Sequence, residues 1–105
     1  MWAANEELIA EAGRRLAEAA PDSQVILFGA HARGEASPHD EVGFLVIEPK
    51  VDSEAEESLR LHRTLRDLRV PANVLVVSRD YVESWREVHG GIVHAALSHG
   101  RVLAG

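Results

Sequence analysis

The sequence predicts an α/β fold of the α+β kind: a small mixed sheet with helices packed on it, in the order α-β-α-β-α-β-α-α. Capped helical stripes alternate with short apolar runs, and two of these, Val25–Phe28 and Val74–Val77, have the make-up of strands buried on both faces. The link between the first two strands holds no more than one helical turn, and strands joined so briefly pair more easily antiparallel than parallel. A length of 105 residues suits one core, so 1–105 is expected to form a single domain.

Taken in order, Asn5 caps a first helix whose opening turn carries Glu6 and Glu7, favourably placed against the helix dipole. Leu8, Ala12 and Leu16 give it an apolar stripe, and Pro21 marks its end. Gln24–Phe28 is the first strand and Gly29 breaks it. Ala30–Gly34 fits one helical turn, and 35–40 is a polar loop containing Pro38. Glu41–Ile47 reads as the second strand, stopped by Pro49. Ser53 with Glu56 makes a capping box for a helix to about Arg69, with Leu61, Leu65 and Leu68 on one face. Asn73–Val77 is the third strand. Ser78 caps a helix to about His89, and Gly90-Gly91 interrupts it. A last helix, Ile92–His99, ends on Gly100 as a C′ glycine, and Arg101–Leu103 adds a short edge strand. Tyr81 and Trp85, at i and i+4, are expected to cover the sheet or else to serve an interface.

Composition removes several function classes. The formal charge is −6, from 17 acidic and 11 basic residues, the wrong sign for a general nucleic-acid binder. The longest apolar runs are too short for a membrane span. Without cysteine there is no disulfide and no thiolate metal site. Met1-Trp2-Ala3-Ala4-Asn5 leads straight into an acidic helical pattern, so no secretion signal is expected and a cytoplasmic location is.

The chemistry-bearing stretch is VILFGAHARGEASPHDEVGFLVI, from Val25 to Ile47. Strand, glycine, polar turn and second strand follow one another as in a nucleotide-handling site. With Pro71-Ala72-Asn73-Val74-Leu75-Val76-Val77 and Gly100-Arg101-Val102-Leu103, the pattern resembles the minimal nucleotidyltransferases, the smallest members of the DNA polymerase beta superfamily. In that family a Gly-Ser-x-x-Arg-Gly turn holds the triphosphate at a helix N-terminus, where free N–H groups attract phosphate. An Asp-x-Asp pair on one strand and a third aspartate on its neighbour hold two magnesium ions. The resemblance places the phosphate turn on Gly29, Ala30, Arg33 and Gly34, with Ala30 where the serine belongs. The three aspartates fall on Glu41, Gly43 and Asn73, and the serine before the first falls on Asp40.

Every carboxylate position has thus changed. Magnesium demands near-ideal octahedral oxygen ligands at about 2.1 Å. The extra methylene of Glu41 displaces its oxygens by roughly 1 Å, and a misplacement of that size costs about 10²-fold in rate. Gly43 offers no side-chain ligand, and Asn73 offers a neutral oxygen. The resemblance with these departures implies a scaffold that has lost catalysis and serves as an interaction module, antitoxin-like, or as a weak nucleotide binder. Its partner would be an all-helical protein or a second copy. No cofactor is then expected.

Two alternatives stay open. An active enzyme would use Asp40 and Glu41, with Asp40 swung inward by a bulge, to move a nucleoside monophosphate from an NTP to a protein hydroxyl with magnesium and ATP. A non-catalytic metal site would draw on His31, His39 and Glu41, a ligand set suited to zinc. His62, His89, His94 and His99 read as surface or helix-end residues.

Overall fold

The computed structural model describes residues 3–105; Met1 and Trp2, and the part of the missing-signal expectation that rests on them, lie outside the described residues. Helix α1 (Glu6–Ala19) begins where the Asn5 side chain accepts the Leu8 N–H at 2.8 Å, satisfying a donor that a helix start leaves open. Its buried residues are Ile9, Ala12, Gly13 and Leu16, so the inward stripe runs through Ile9, and Leu8 is half-buried at its margin. Helix α2 (Glu54–Arg63) is capped by the Ser53 hydroxyl, which accepts from Glu56 N–H at 3.3 Å.

Helix α2 stops well before Arg69. The Thr64 hydroxyl donates to the Leu61 carbonyl at 2.6 Å, drawing off a helical acceptor, and only a 3₁₀ turn at Arg66–Leu68 follows. Arg69 then takes a left-handed conformation, φ 54°, that turns the chain into its next strand. Helix α3 (Arg79–Trp85), capped by Ser78, is also shorter than its pattern predicts: Val88 N–H bonds back to Trp85 and Gly90 takes φ 87°. Helix α4 (Ile92–His99) ends on Gly100 in an extended, not left-handed, conformation. Space is what requires glycine there, since a β-carbon would lie 2.6 Å from Ile26 and 2.8 Å from the Leu27 carbonyl.

The strands are β1 (Gln24–Phe28), β2 (Val42–Glu48), β3 (Ala72–Ser78) and β4 (Arg101–Ala104), in the sheet order β3-β2-β1-β4. β1 is antiparallel to β2 and β4, and β2 is parallel to β3, with α2 in the crossover. The sheet is mixed, as the short first link predicts. Alternation sorts the strands into two cores. Val25, Leu27, Phe44, Val46, Val74 and Val76 pack with residues of α1 and α2. Ile26, Leu45, Ile47 and Val77 pack with Val82 of α3 and with Val93 and Ala96 of α4. Burial on both faces explains why β1 and β2 read as unbroken apolar runs. Val82, not Tyr81 or Trp85, is the residue of α3 that covers the sheet; the two rings stack outside it, centroids 5.9 Å apart. Among the described residues no helix is long and apolar enough to cross a membrane.

One polar contact within the fold titrates. Glu48, the last residue of β2, buries its Oε2 without a donor and lies beside the Glu57 carboxyl of α2. Burial, and then Glu57, push the Glu48 carboxyl up to about 7, from an ordinary 4.5. Glu57 stays ionised, held at about 2 first by Arg60, which reaches it at 2.6 and 2.7 Å, and then by Glu48. As pH rises, the unfolded chain therefore sheds the Glu48 proton first, and stability falls between about pH 4.5 and pH 7. Glu48→Gln removes this loss while keeping a donor for Glu57. Once solvent screening of the half-buried side chain is discounted, the variant is expected to gain about 1 kcal/mol at pH 8 and only about a quarter of that at pH 5. Melting curves at the two pH values check this; equal gains at both would show that the proton on Glu48 is irrelevant.

Candidate functional site

The site is built where β1 ends and β2 begins. Gly29, at φ 85°, turns the chain sharply out of β1, a conformation that glycine tolerates best. Residues 30–34 then wind through single turns, with Arg33 N–H donating to Gly29 O at 3.3 Å and Glu35 N–H to Ala30 O at 3.0 Å. Gly34 takes φ 71° and ends the winding. The chain makes turns here and no regular helix, so little aligned dipole stands behind Gly29 and Ala30. Arg33 lies outside, its Nε 3.5 Å from Glu35, and both side chains are largely exposed.

The loop that follows is closed by its own polar groups. His31 Nε2 donates to the Asp40 carbonyl at 2.9 Å, which places the proton on that nitrogen. The Asp40 carboxylate accepts the Ser37 N–H at 2.9 Å. Ala4 N–H donates to Pro38 O at 2.7 Å, tying the segment before α1 to the loop. The β1–β2 ladder runs from Gln24↔Ile47 to Phe28↔Gly43 without a bulge, and Asp40 lies exposed in the turn before it. Glu41 is exposed and lies just before β2. Among the described residues, no three His, Asp or Glu side chains group to hold a metal, so His31, His39 and Glu41 do not form such a cluster.

Across the strands the geometry is sharper. Phe28 pairs with Gly43, and Gly43 with Asn73, so the three form one row on one face of the sheet. Gly43 is buried, and the space its side chain would take is already full. A β-carbon there would sit 2.7, 2.8 and 3.0 Å from Cζ, Cε2 and Cε1 of Phe28. The middle of the row is therefore an aromatic ring laid over a glycine. Sequence reasoning missed Phe28 as a site residue. The available signal was the glycine itself: inside an otherwise apolar strand, it marks close approach of another group.

Among solved structures, the chain is similar to one described as "Crystal structure of the toxin-antitoxin with AMP-PNP", with a TM-score of 0.56 over 97% of this chain and 74% of that chain. Sequence identity between them is 17%. The likeness is one of fold. No family model and no curated protein matches the sequence.

Proposed function

We propose that this chain is an antitoxin-like interaction module on a nucleotidyltransferase scaffold that has lost two-metal catalysis. The observation that carries the reading is the Phe28–Gly43–Asn73 row. Two-metal transfer needs carboxylates on neighbouring strands, converging on both ions. At these positions the chain has an aromatic ring over a glycine, beside a neutral amide. Glu41 stands exposed outside the strand, and Asp40 is engaged with Ser37, which weighs against an active pair of those two. The likeness in fold to a toxin–antitoxin structure supports a protein partner. In the Gly29–Gly34 turn the Ala32, Arg33 and Gly34 N–H groups bond to carbonyls of the turn itself, which supports weak nucleotide contact only.

The test mixes the protein with ATP and magnesium, alone and together with an all-helical protein from an adjacent gene, where the genome has one. A ligand at 100 times its dissociation constant stabilises by about 2.7 kcal/mol, a shift readily seen in a domain of this size. The expected result is no magnesium-dependent gain at millimolar ATP and no nucleotide mass on either protein. A complex is expected to form without nucleotide. A stabilisation abolished by chelator, or an added nucleotide on the partner, would establish catalysis and defeat the proposal.

A further inference from the structure

Helix α2 lies along the outer edge of β3. Val42 N–H of β2 takes the Pro71 carbonyl at 2.7 Å, so in this parallel pair Ala72, Val74 and Val76 turn their backbone groups outward. Two of their carbonyls are met by α2: His62 Nε2 donates to the Ala72 carbonyl at 3.2 Å, and the Ser58 hydroxyl donates to the Val74 carbonyl. Beyond Ser58 the edge opens into a groove of about 320 Å³. Its lining includes Leu45 and Leu75 from the sheet, Ala55 and Glu54 from α2, and Tyr81 and Ile92 from α3 and α4.

The groove has the features of a protein contact. Trp85 stacks on Tyr81 and extends the apolar surface along α3. Trp85 is 47% exposed and Ile92 40%, although both are large apolar residues of the kind that anchor interfaces. An added strand is disfavoured, because α2 already occupies the Ala72 and Val74 carbonyls on the outer edge of β3. Charge also selects the occupant. Among the described residues no basic side chain lines the groove, Glu54 stands on its wall, and Asp80 lies beside Tyr81 in the first turn of α3. Arg79, next to Asp80, is turned away to the Asp22 carbonyl at 3.0 Å.

We infer that this groove receives one amphipathic helix of a protein partner, with an apolar stripe flanked by lysine or arginine. The inference rests on the interaction-module reading and does not depend on the loss of catalysis. The probe is a dye-labelled amphipathic peptide with leucines at helical spacing and lysines elsewhere, followed by anisotropy at physiological salt. Two controls keep its leucine content: one replaces lysine by glutamate, and one alternates leucine and lysine as a strand would.

The lysine helix is expected to bind saturably, with each control weaker by at least about tenfold. Tyr81→Ser with Ile92→Ser, both at exposed positions, should weaken it by a similar factor while melting close to the parent. Binding unchanged in that double variant, or equal for the acidic or strand peptide, would overturn the inference. Self-association of the parent that the double variant abolishes would make a second copy the occupant, and overturns it too. A pull-down with an all-helical protein from an adjacent gene, where the genome has one, separates the two proposals. A complex that survives both substitutions defeats the groove alone, whereas no complex with the parent defeats the module reading.

Discussion

Gly43→Asp alone is expected to destabilise the protein by about 3 kcal/mol, through overpacking and an unpaired buried polar group. The new β-carbon would fall 2.7 Å from the Phe28 ring, inside any real contact distance. That ring packs against the second core, with Ile26, Leu45 and Val93, so it cannot withdraw without opening space behind it. The carboxylate behind the β-carbon would also enter a buried position beside an apolar ring. For a domain of this size the melting temperature should fall by roughly ten degrees or more. Phe28→Ala should be destabilising by itself through lost burial, yet partly rescue Gly43→Asp, because it empties the space the aspartate needs. Denaturant unfolding of the four proteins measures the coupling, expected at about 1–3 kcal/mol in favour of the double variant. A Gly43→Asp protein as stable as the parent, or additive effects in the cycle, would mean that the ring does not fill position 43.

How far the sequence exposes this architecture depends on the range of the interactions concerned. The strands were legible because both faces of β1 and β2 are buried, which leaves an apolar run with no polar interruption. Three helix starts were legible because Asn5, Ser53 and Ser78 cap them with their own side chains. Helix ends were not. Leu65 and Leu68 continue the apolar spacing of α2, but Thr64 has already turned its hydroxyl onto Leu61, and the leucines are placed by the turns that follow. Gly100 does cap α4, its N–H on the Ala96 carbonyl, but what requires glycine there is clearance between α4 and β1, which only the packed structure reveals. The candidate site follows the same rule. The positions of Glu41, Gly43 and Asn73 can be read from spacing along the chain. What fills position 43 comes from Phe28 on another strand, and depends on a register that no local pattern specifies.

That register also dictates how metal binding would be rebuilt. Ala30→Ser, Glu41→Asp, Gly43→Asp and Asn73→Asp restore the groups that the resemblance assigns, but these four substitutions leave the Phe28 ring in the way. With Phe28→Ala added, the fivefold variant is expected to fold and to be less stable than the parent without metal. Three carboxylates then face one another at one end of the sheet, where each disfavours ionisation of the others. Magnesium offsets that repulsion. At 100 times the dissociation constant, magnesium with ATP should return about 2.7 kcal/mol to the variant and nothing to the parent. Calorimetric melts of both proteins, with each ligand alone and with the two together, provide the measurement. Stabilisation by magnesium and ATP that needs the Phe28 substitution would mean that the aromatic ring and the lost carboxylates are one change, made at one place. A variant that folds but gains nothing from either ligand would mean that position 43 never faced a metal, and that the turn after Gly29 belongs to some other site.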